Sequence, residues 1–451
     1  MLDVAELSKS FLGVLYAPQS AGYDEARKIH NGMIDRKPAL IARCQGMADI
    51  ADAVRFARAN DLEISIRGGG HNVGGRAVAD DCLMIDLSLM KSVHVDAATR
   101  TAIVGGGALW KEFNREAQLY GLAATGGVVG TTGVGGLTLG GGLGFLMPKY
   151  GMALDNLLSV DLVLADGSVV RASAESNPDL FWAIRGGGGN FGVAGSFEFQ
   201  LHPVGPIVVG GLVAFPFSEA RQVLTKWREL TLTAPDELML VAALITAPDG
   251  SGNKLVAVAA CHCGARTDAE EIMTRIKGFG TVAMDALGPI PYTVLNGMLD
   301  DGFPKGAFNY WKSSFIHTLT DEAIGTVISL YEGCPVPSNQ LLFEHFHGAA
   351  ARKPADETAY ALRDTGYNVA IIGQWFDRAD EGAATSWCRN AFSALQAYVG
   401  PRRYANYIGS DEDADAAAVA AYGANLPRLR ELKRKYDPEN VFAHNVNIRP
   451  S

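Results

Sequence analysis

Residues 65–78 read Ser-Ile-Arg-Gly-Gly-Gly-His-Asn-Val-Gly-Gly-Arg-Ala-Val. A turn needs one or two glycines. Three in succession, Gly68, Gly69 and Gly70, mean that something large comes close to bare backbone. His71 follows directly, and a neutral imidazole nitrogen is a nucleophile able to form a covalent bond. A second cluster is Phe343-Glu344-His345-Phe346-His347. Read as a strand, it sends His345 and His347 to one face and Glu344 and Phe346 to the other. If the histidine face looks into a site, either ring could take a proton from an alcohol or amine. Core, solvent and metal positions are the other readings, and no third metal ligand is evident. Cys261-His262-Cys263 also lacks a second ligand pair and reads as structural thiols, so no metal is expected.

The elements around these residues follow from hydrophobic spacing. PALIARC is a short apolar run, MADIADAVRFARAN has apolar positions at helical spacing, and LEISIR alternates, giving strand, helix, strand before the glycines. DCLMIDLSLM and TAIVGGGA read as further strands, and LWKEFNREAQLYG as a helix closed by Gly121. From residue 155 the chain reads strand (LLSVDLVLADGSVVRAS), helix (NPDLFWAIR), glycines and strand (SFEFQLHPV). The texture changes at Pro203-Val204-Gly205-Pro206, which sets a boundary. Beyond it, helical patterns (FSEARQVLTKWREL, DAEEIMTRIKGFG, DEAIGTVISLYEGC, SWCRNAFSALQAYV) alternate with strands (MLVAALIT, KLVAVAAC, QLLFEHFHG, YNVAIIGQWF). That pattern predicts an α+β domain whose mainly antiparallel sheet is covered by helices on one side. The expected division is 1–205, 206–400, and a segment 401–451 that returns to the first part.

With 451 residues, 48% hydrophobic and 20% charged, the chain is a globular protein of enzyme size. Its net charge of −10 and lack of a basic stripe argue against nucleic acid or an anionic membrane as partner. The first twenty residues show no basic region followed by an apolar core, and no apolar run reaches the roughly 20 residues of a membrane span. Six scattered cysteines suit a reducing cytoplasm. Glycine stands out: 52 residues, against a usual share of about 7%, gathered at 68–75, 126–144 and 186–192.

Glycine clusters invite a nucleotide. The one GxGxxG, Gly187 to Gly192, follows a helix and precedes a strand, the inverse of a Rossmann context, and no GK[ST] of a P-loop exists. Three loops rich in uncovered N–H groups can instead hold a pyrophosphate, and an extended dinucleotide such as FAD suits them.

The segments LEISIRGGGHN, IDLSLMKSVHVD, GLTLGGGLGFLMPKYGMALDN, DLFWAIRGGGGNFGV and YDPENVFAHNVNI stand in order from near the start to the last residues. Together they resemble the berberine-bridge-enzyme-like branch of the vanillyl-alcohol-oxidase/p-cresol-methylhydroxylase superfamily of FAD-linked oxidases. Within that branch they look like the bacterial 6-hydroxy-D-nicotine oxidase type. The resemblance implies a two-part FAD-binding domain of the p-cresol-methylhydroxylase type plus a substrate domain. It implies covalent FAD, joined from His71 to the flavin 8α-methyl carbon. Matched positions in the family's FAD-binding motifs are Arg67, Gly68, Gly69, Gly70, Asn72, Val129, Thr132, Gly133, Gly135, Gly136, Gly140, Gly141, Asn156, Gly192, Asn445 and Asn447. Some members add a cysteinyl link, but Val129 holds that position here, so a single bond through His71 is expected. Tyr404-Ala405-Asn406-Tyr407 is similar to a family segment whose second tyrosine acts as base or clamp, hence Tyr407. IIGQWF is similar to a strand with a polar residue over the flavin, hence Gln374. The implied reaction is hydride transfer from a C–H beside nitrogen or oxygen of a small-molecule substrate to flavin N5, with O2 giving H2O2. Thr132, where the family often has valine, leaves an oxygenase or oxidative cyclase open. A dehydrogenase with another acceptor, or a flavin-retaining binding protein, stays a third reading. A homodimer is allowed.

Overall fold

The computed structural model describes residues 4–451. Met1, Leu2 and Asp3, which begin the stretch read for a leader segment, lie outside the described residues. The chain first forms a four-stranded sheet in the order Val14–Tyr16, Leu40–Arg43, Leu83–Asp86, Ile64–Arg67. Its last three strands are parallel and nearly continuous in apolar residues, as strands covered on both faces must be. The helix Met47–Ala59 packs its buried face, including Ile50 and Val54, against this layer.

A five-stranded antiparallel sheet follows, ordered Val93–Asp96, Thr101–Gly105, Val193–Gln200, Leu157–Val163, Val169–Ser173. Phe197 and Phe199 alternate with Glu198 and Gln200 and pack with Trp110 and Phe113 of the helix Trp110–Gln118. The third sheet has eight strands, all pairs antiparallel. Its main path is Met284–Asp285, Ile207–Pro216, Lys254–His262, Leu238–Thr246, Gln340–Phe346, Gly366–Trp375, Phe308–Ile316, with Gly288–Pro291 also on Ile207–Pro216. The helices Ala220–Thr231, Arg266–Lys277, Asp321–Glu332 and Glu381–Leu395 cover one face through Trp227, Met273, Val327 and Trp387. The α+β class with a helix-covered antiparallel sheet is what spacing predicted.

Four strands of this sheet were not anticipated: the short Met284–Asp285 and Gly288–Pro291, and the long Ile207–Pro216 and Phe308–Ile316. Ile207–Pro216 carries Gly210, Gly211 and a terminal proline, which depress strand propensity. Phe308–Ile316 carries Asn309, Lys312, Ser313 and Ser314, all buried by tertiary contacts that no local pattern announces.

Two buried ion pairs tie distant segments together. Arg363 meets Asp155 bidentately, both N–H···O distances being 2.8 Å, with side chains 3% and 2% exposed. Lys433, fully buried, bonds Asp437 at 2.6 Å and donates to Asn190 O at 2.7 Å, fixing the C-terminal tail against the 186–192 loop. Removing one partner of such a pair leaves an uncompensated buried charge. Arg363→Ala is therefore expected to cost about 3–5 kcal/mol in urea unfolding, and Arg363→Met with Asp155→Asn to recover most of that loss.

Candidate active site

The strand Ile64–Arg67 delivers the chain to Gly68, and three glycines carry it to His71. A Cβ on Gly69 would lie 2.4 Å from Gly133 N, and one on Gly133 would lie 2.4 Å from Gly69 N. The two glycine loops interlock backbone to backbone, and no other residue type fits either side. Gly70 adopts φ +67°, a left-handed conformation natural only to glycine. The result sets the His71 ring beside Thr131, with Nε2 3.2 Å from Thr131 Oγ1, and flat against His30 at a centroid distance of 3.7 Å. Burial, with His30 alongside, pushes the His71 pKa down to about 3, so the ring is neutral and nucleophilic.

A cavity runs past this ring. Gly68, Gly69, Gly70, His71 and Asn72 line it, as do Val129, Thr132, Gly133, Gly135, Gly136 and Gly140 of the second cluster. Gly192 and Asn445 complete it from the third loop and the tail. Asn190 anchors that corner: its Nδ2 donates to Gly187 O and Val446 O, and its Oδ1 accepts from Ile448 N. Arg76 also lines the cavity and donates to Asn445 O at 2.6 Å.

Glu344 faces the same cavity from the large sheet. Its Oε2 accepts from Asn368 Nδ2 at 2.5 Å, and its Oε1 accepts from the Tyr407 hydroxyl at 3.3 Å. Burial raises the Glu344 pKa to about 7 against the opposing effect of these two bonds. The Tyr407 phenol is pushed well above its ordinary value, first by burial and then by the neighbouring carboxylate. Trp311 stands edge-on to Tyr407 at 5.5 Å, and Tyr404 does so at 4.9 Å on another side. Tyr404 is held by N–H groups of Gly142 and Leu143 and by Asn406 Nδ2.

Several expected positions lie elsewhere. His345 is on the helix-covered face with Leu341 and Phe343, its ring 5.5 Å from Tyr367, and His347 lies just past the strand near Pro235 O. Alternation separates the two faces but cannot say which one helices cover, and Leu341 and Phe343 carry His345 into the helix layer. Glu344, the residue opposite, is the one in the cavity. Gln374 shares the face of Asn368 and Ile372 but sits beyond the cavity, donating to Gly302 O at 3.2 Å. Arg67 points away: its guanidinium binds Asp86 and the carbonyls of Ala26 and Lys28, because a buried cation needs that carboxylate. Gly141 makes room for Tyr404, Met152 and Tyr360 instead of lining the cavity. Asn156 braces Tyr150 O, Met152 O and His202, and Asn447 is also outside the lining. Glu344 and Asn368 had one sequence signal, a polar side chain within a mostly apolar strand.

The FAD binding domain family matches residues 38–173, and the berberine and berberine-like family matches 403–449. An (R)-6-hydroxynicotine oxidase of Paenarthrobacter nicotinovorans is 33% identical over 98% of this chain and 97% of its own. The chain belongs to the berberine-bridge-enzyme-like family of FAD-linked oxidoreductases. Its fold superposes on the crystal structure of 6-hydroxy-D-nicotine oxidase from Arthrobacter nicotinovorans with a TM-score of 0.91, at 31% identity and full coverage of both chains. A glucooligosaccharide oxidase of Acremonium strictum, described with a 6-S-cysteinyl, 8α-N1-histidyl FAD, superposes at 0.87 with 27% identity over 99% and 98% of the two chains.

The enzyme is thus an FAD-linked oxidoreductase, and the cavity fits that cofactor. Gly136 has open space where a Cβ would be, and Gly188, at φ +69°, has nothing nearer than 3.9 Å. Glu344 is the one carboxylate among the lining residues, so Arg76 and the loop N–H groups could hold a dinucleotide's phosphates without an opposing acid. Among the described residues no cluster of three His, Cys, Asp or Glu could hold a metal, and no helix is long and apolar enough to cross a membrane. Gly69→Ala and Gly136→Val separate the two uses of glycine. Compared as flavin-free proteins, Gly69→Ala is expected to lower the melting temperature by at least about 5 °C, while Gly136→Val keeps the melt; Gly136→Val loses FAD binding, read by flavin absorbance after gel filtration.

Proposed function

We propose that the enzyme carries FAD covalently through His71 alone and oxidises a small organic substrate at a C–H next to nitrogen or oxygen. Residues 1–205 with the returning 401–451 would hold the cofactor, and 206–400 would close over the substrate. When bound, the flavin supplies a hydride acceptor at N5 and is regenerated by O2 with release of H2O2.

The observation that carries the reaction is the Tyr407–Glu344 contact within the same cavity as His71. A phenol whose pKa is driven upward keeps its proton and is a poor base by itself. Glu344, poised near 7, is the acceptor matched to neutral pH. Tyr407 therefore accepts the hydrogen bond of the substrate N–H or O–H and passes the proton to Glu344 Oε1. Asn368 on Oε2 keeps the carboxylate from turning away. Trp311, Val128 and Val129 give this part of the cavity an apolar wall that excludes water. The named relatives act on unlike substrates, a hydroxynicotine and glucooligosaccharides, so kinship supports the reaction type and leaves the substrate to experiment.

The linkage is supported by a neutral His71 beside the cavity, and its singularity by Val129, which has no sulfur. Six unpaired cysteines favour a reducing cytoplasm. Acid-denatured enzyme is expected to stay yellow, and His71→Ala to release its flavin on denaturation; wild-type flavin that washes out would refute the linkage.

The rate of substrate-dependent H2O2 formation is expected to rise with pH through about 7 as Glu344 ionises. Glu344→Gln is expected to lower that rate about 10²–10⁴-fold and to remove the rising limb. Because the folded pKa is raised, Glu344 favours folding below its unfolded value and loses that contribution as pH climbs through about 7. Glu344→Gln should therefore melt higher than wild type at pH 8 and not at pH 5. Labelled O2 appearing in the organic product would replace the oxidase reading with an oxygenase.

A further inference from the structure

His71 does not stand alone. His30, buried at 9% exposure, lies behind it with an interplanar angle of 26° at 3.7 Å between centroids. His30 is absent from the cavity lining, and its ring meets the site through the His71 ring. Its backbone is stitched on both sides. His30 N donates to Gly70 O at 3.0 Å, and His30 O accepts from Gly306 N at 2.8 Å. Next to it, Asn31 Nδ2 donates to Val73 O and to Asn309 O, both at 2.8 Å. The His30 backbone is thus held by the loop that carries His71 and by the far half of the chain, which seats its ring against His71.

We propose that His30 is a positioning residue for attachment of the cofactor: its ring fixes the plane of the His71 imidazole from behind, while Thr131 fixes its edge. This rests on the covalent reading given above. Attachment forms a C–N bond between a His71 ring nitrogen and the flavin's 8α-methyl carbon and breaks one C–H and one N–H bond. The two electrons and two protons pass to the ring system and then to O2, which leaves as H2O2. The attacking lone pair lies in the imidazole plane, so a ring that swings about its Cβ–Cγ bond aims it away from the carbon. A flat neighbour at 3.7 Å stops that swing. Burial also keeps the His30 pKa down at about 4, so no cation faces the nucleophile.

The test compares wild type, His30→Ala and His30→Phe, produced with limiting riboflavin and then given FAD. Linkage is timed by flavin fluorescence on denaturing gels and by intact mass. His30→Ala is expected to bind FAD reversibly yet to link at least about tenfold more slowly, and His30→Phe, which keeps a flat ring, to stay within about twofold of wild type. A wild-type rate in His30→Ala overturns the proposal. So does a His30→Phe rate as slow as that of His30→Ala, which would assign the role to a His30 nitrogen. Should His30→Ala fail to fold by thermal melt, His30→Leu against His30→Phe makes the same comparison with the volume filled. Failure of the covalent reading shows separately, as absence of linkage in the wild-type arm.

Discussion

The site depends on one close approach of bare backbone, Gly69 against Gly133, where a Cβ on either side would stand 2.4 Å from the other's nitrogen. Strand and helix ends from two different layers can meet there only because neither carries a side chain. The contact seats His71 against Thr131 and brings Val129, Thr132 and Gly136 into one wall with Gly70. Glycines in this chain do two jobs that their spelling does not distinguish. Gly69 and Gly133 allow chain to meet chain, while Gly136 and Gly188 leave open space for a ligand.

Around that seam, burial sets the protonation of the groups that matter. Desolvation disfavours whichever form is charged, so it lowers histidine and raises carboxylic acid and phenol together. His71 stays neutral, Tyr407 keeps its proton, and Glu344 is brought to about 7. In the proposed reaction, one physical effect would thus supply a nucleophile, a proton relay and a base. The cluster is assembled from three separate stretches, residues 344, 368 and 407, joined by hydrogen bonds to a single carboxylate.

Much of the fold was legible because its signals are local. The helix Met47–Ala59, the strand Val193–Gln200 and the helix-covered sheet all announce themselves through spacing of apolar residues. Phe308–Ile316 escaped because its buried polar residues meet partners far off in the chain: Lys312 pairs with Asp411 at 2.8 Å, and Asn309 N donates to Asn31 Oδ1 at 3.0 Å. Arg67 was misread for a related reason. A charge in a glycine motif looks like a ligand contact until Asp86, nineteen residues on, takes up its guanidinium.

The sequence by itself determined the family, the FAD cofactor, the glycine loops and the strand that carries Glu344 and His345, since each is written in contiguous residues. Only the tertiary structure decided which face of that strand meets the cavity. Alternation is symmetric between the two faces, and the asymmetry comes from four helices that bury Leu341 and Phe343 and leave Glu344 turned toward Tyr407.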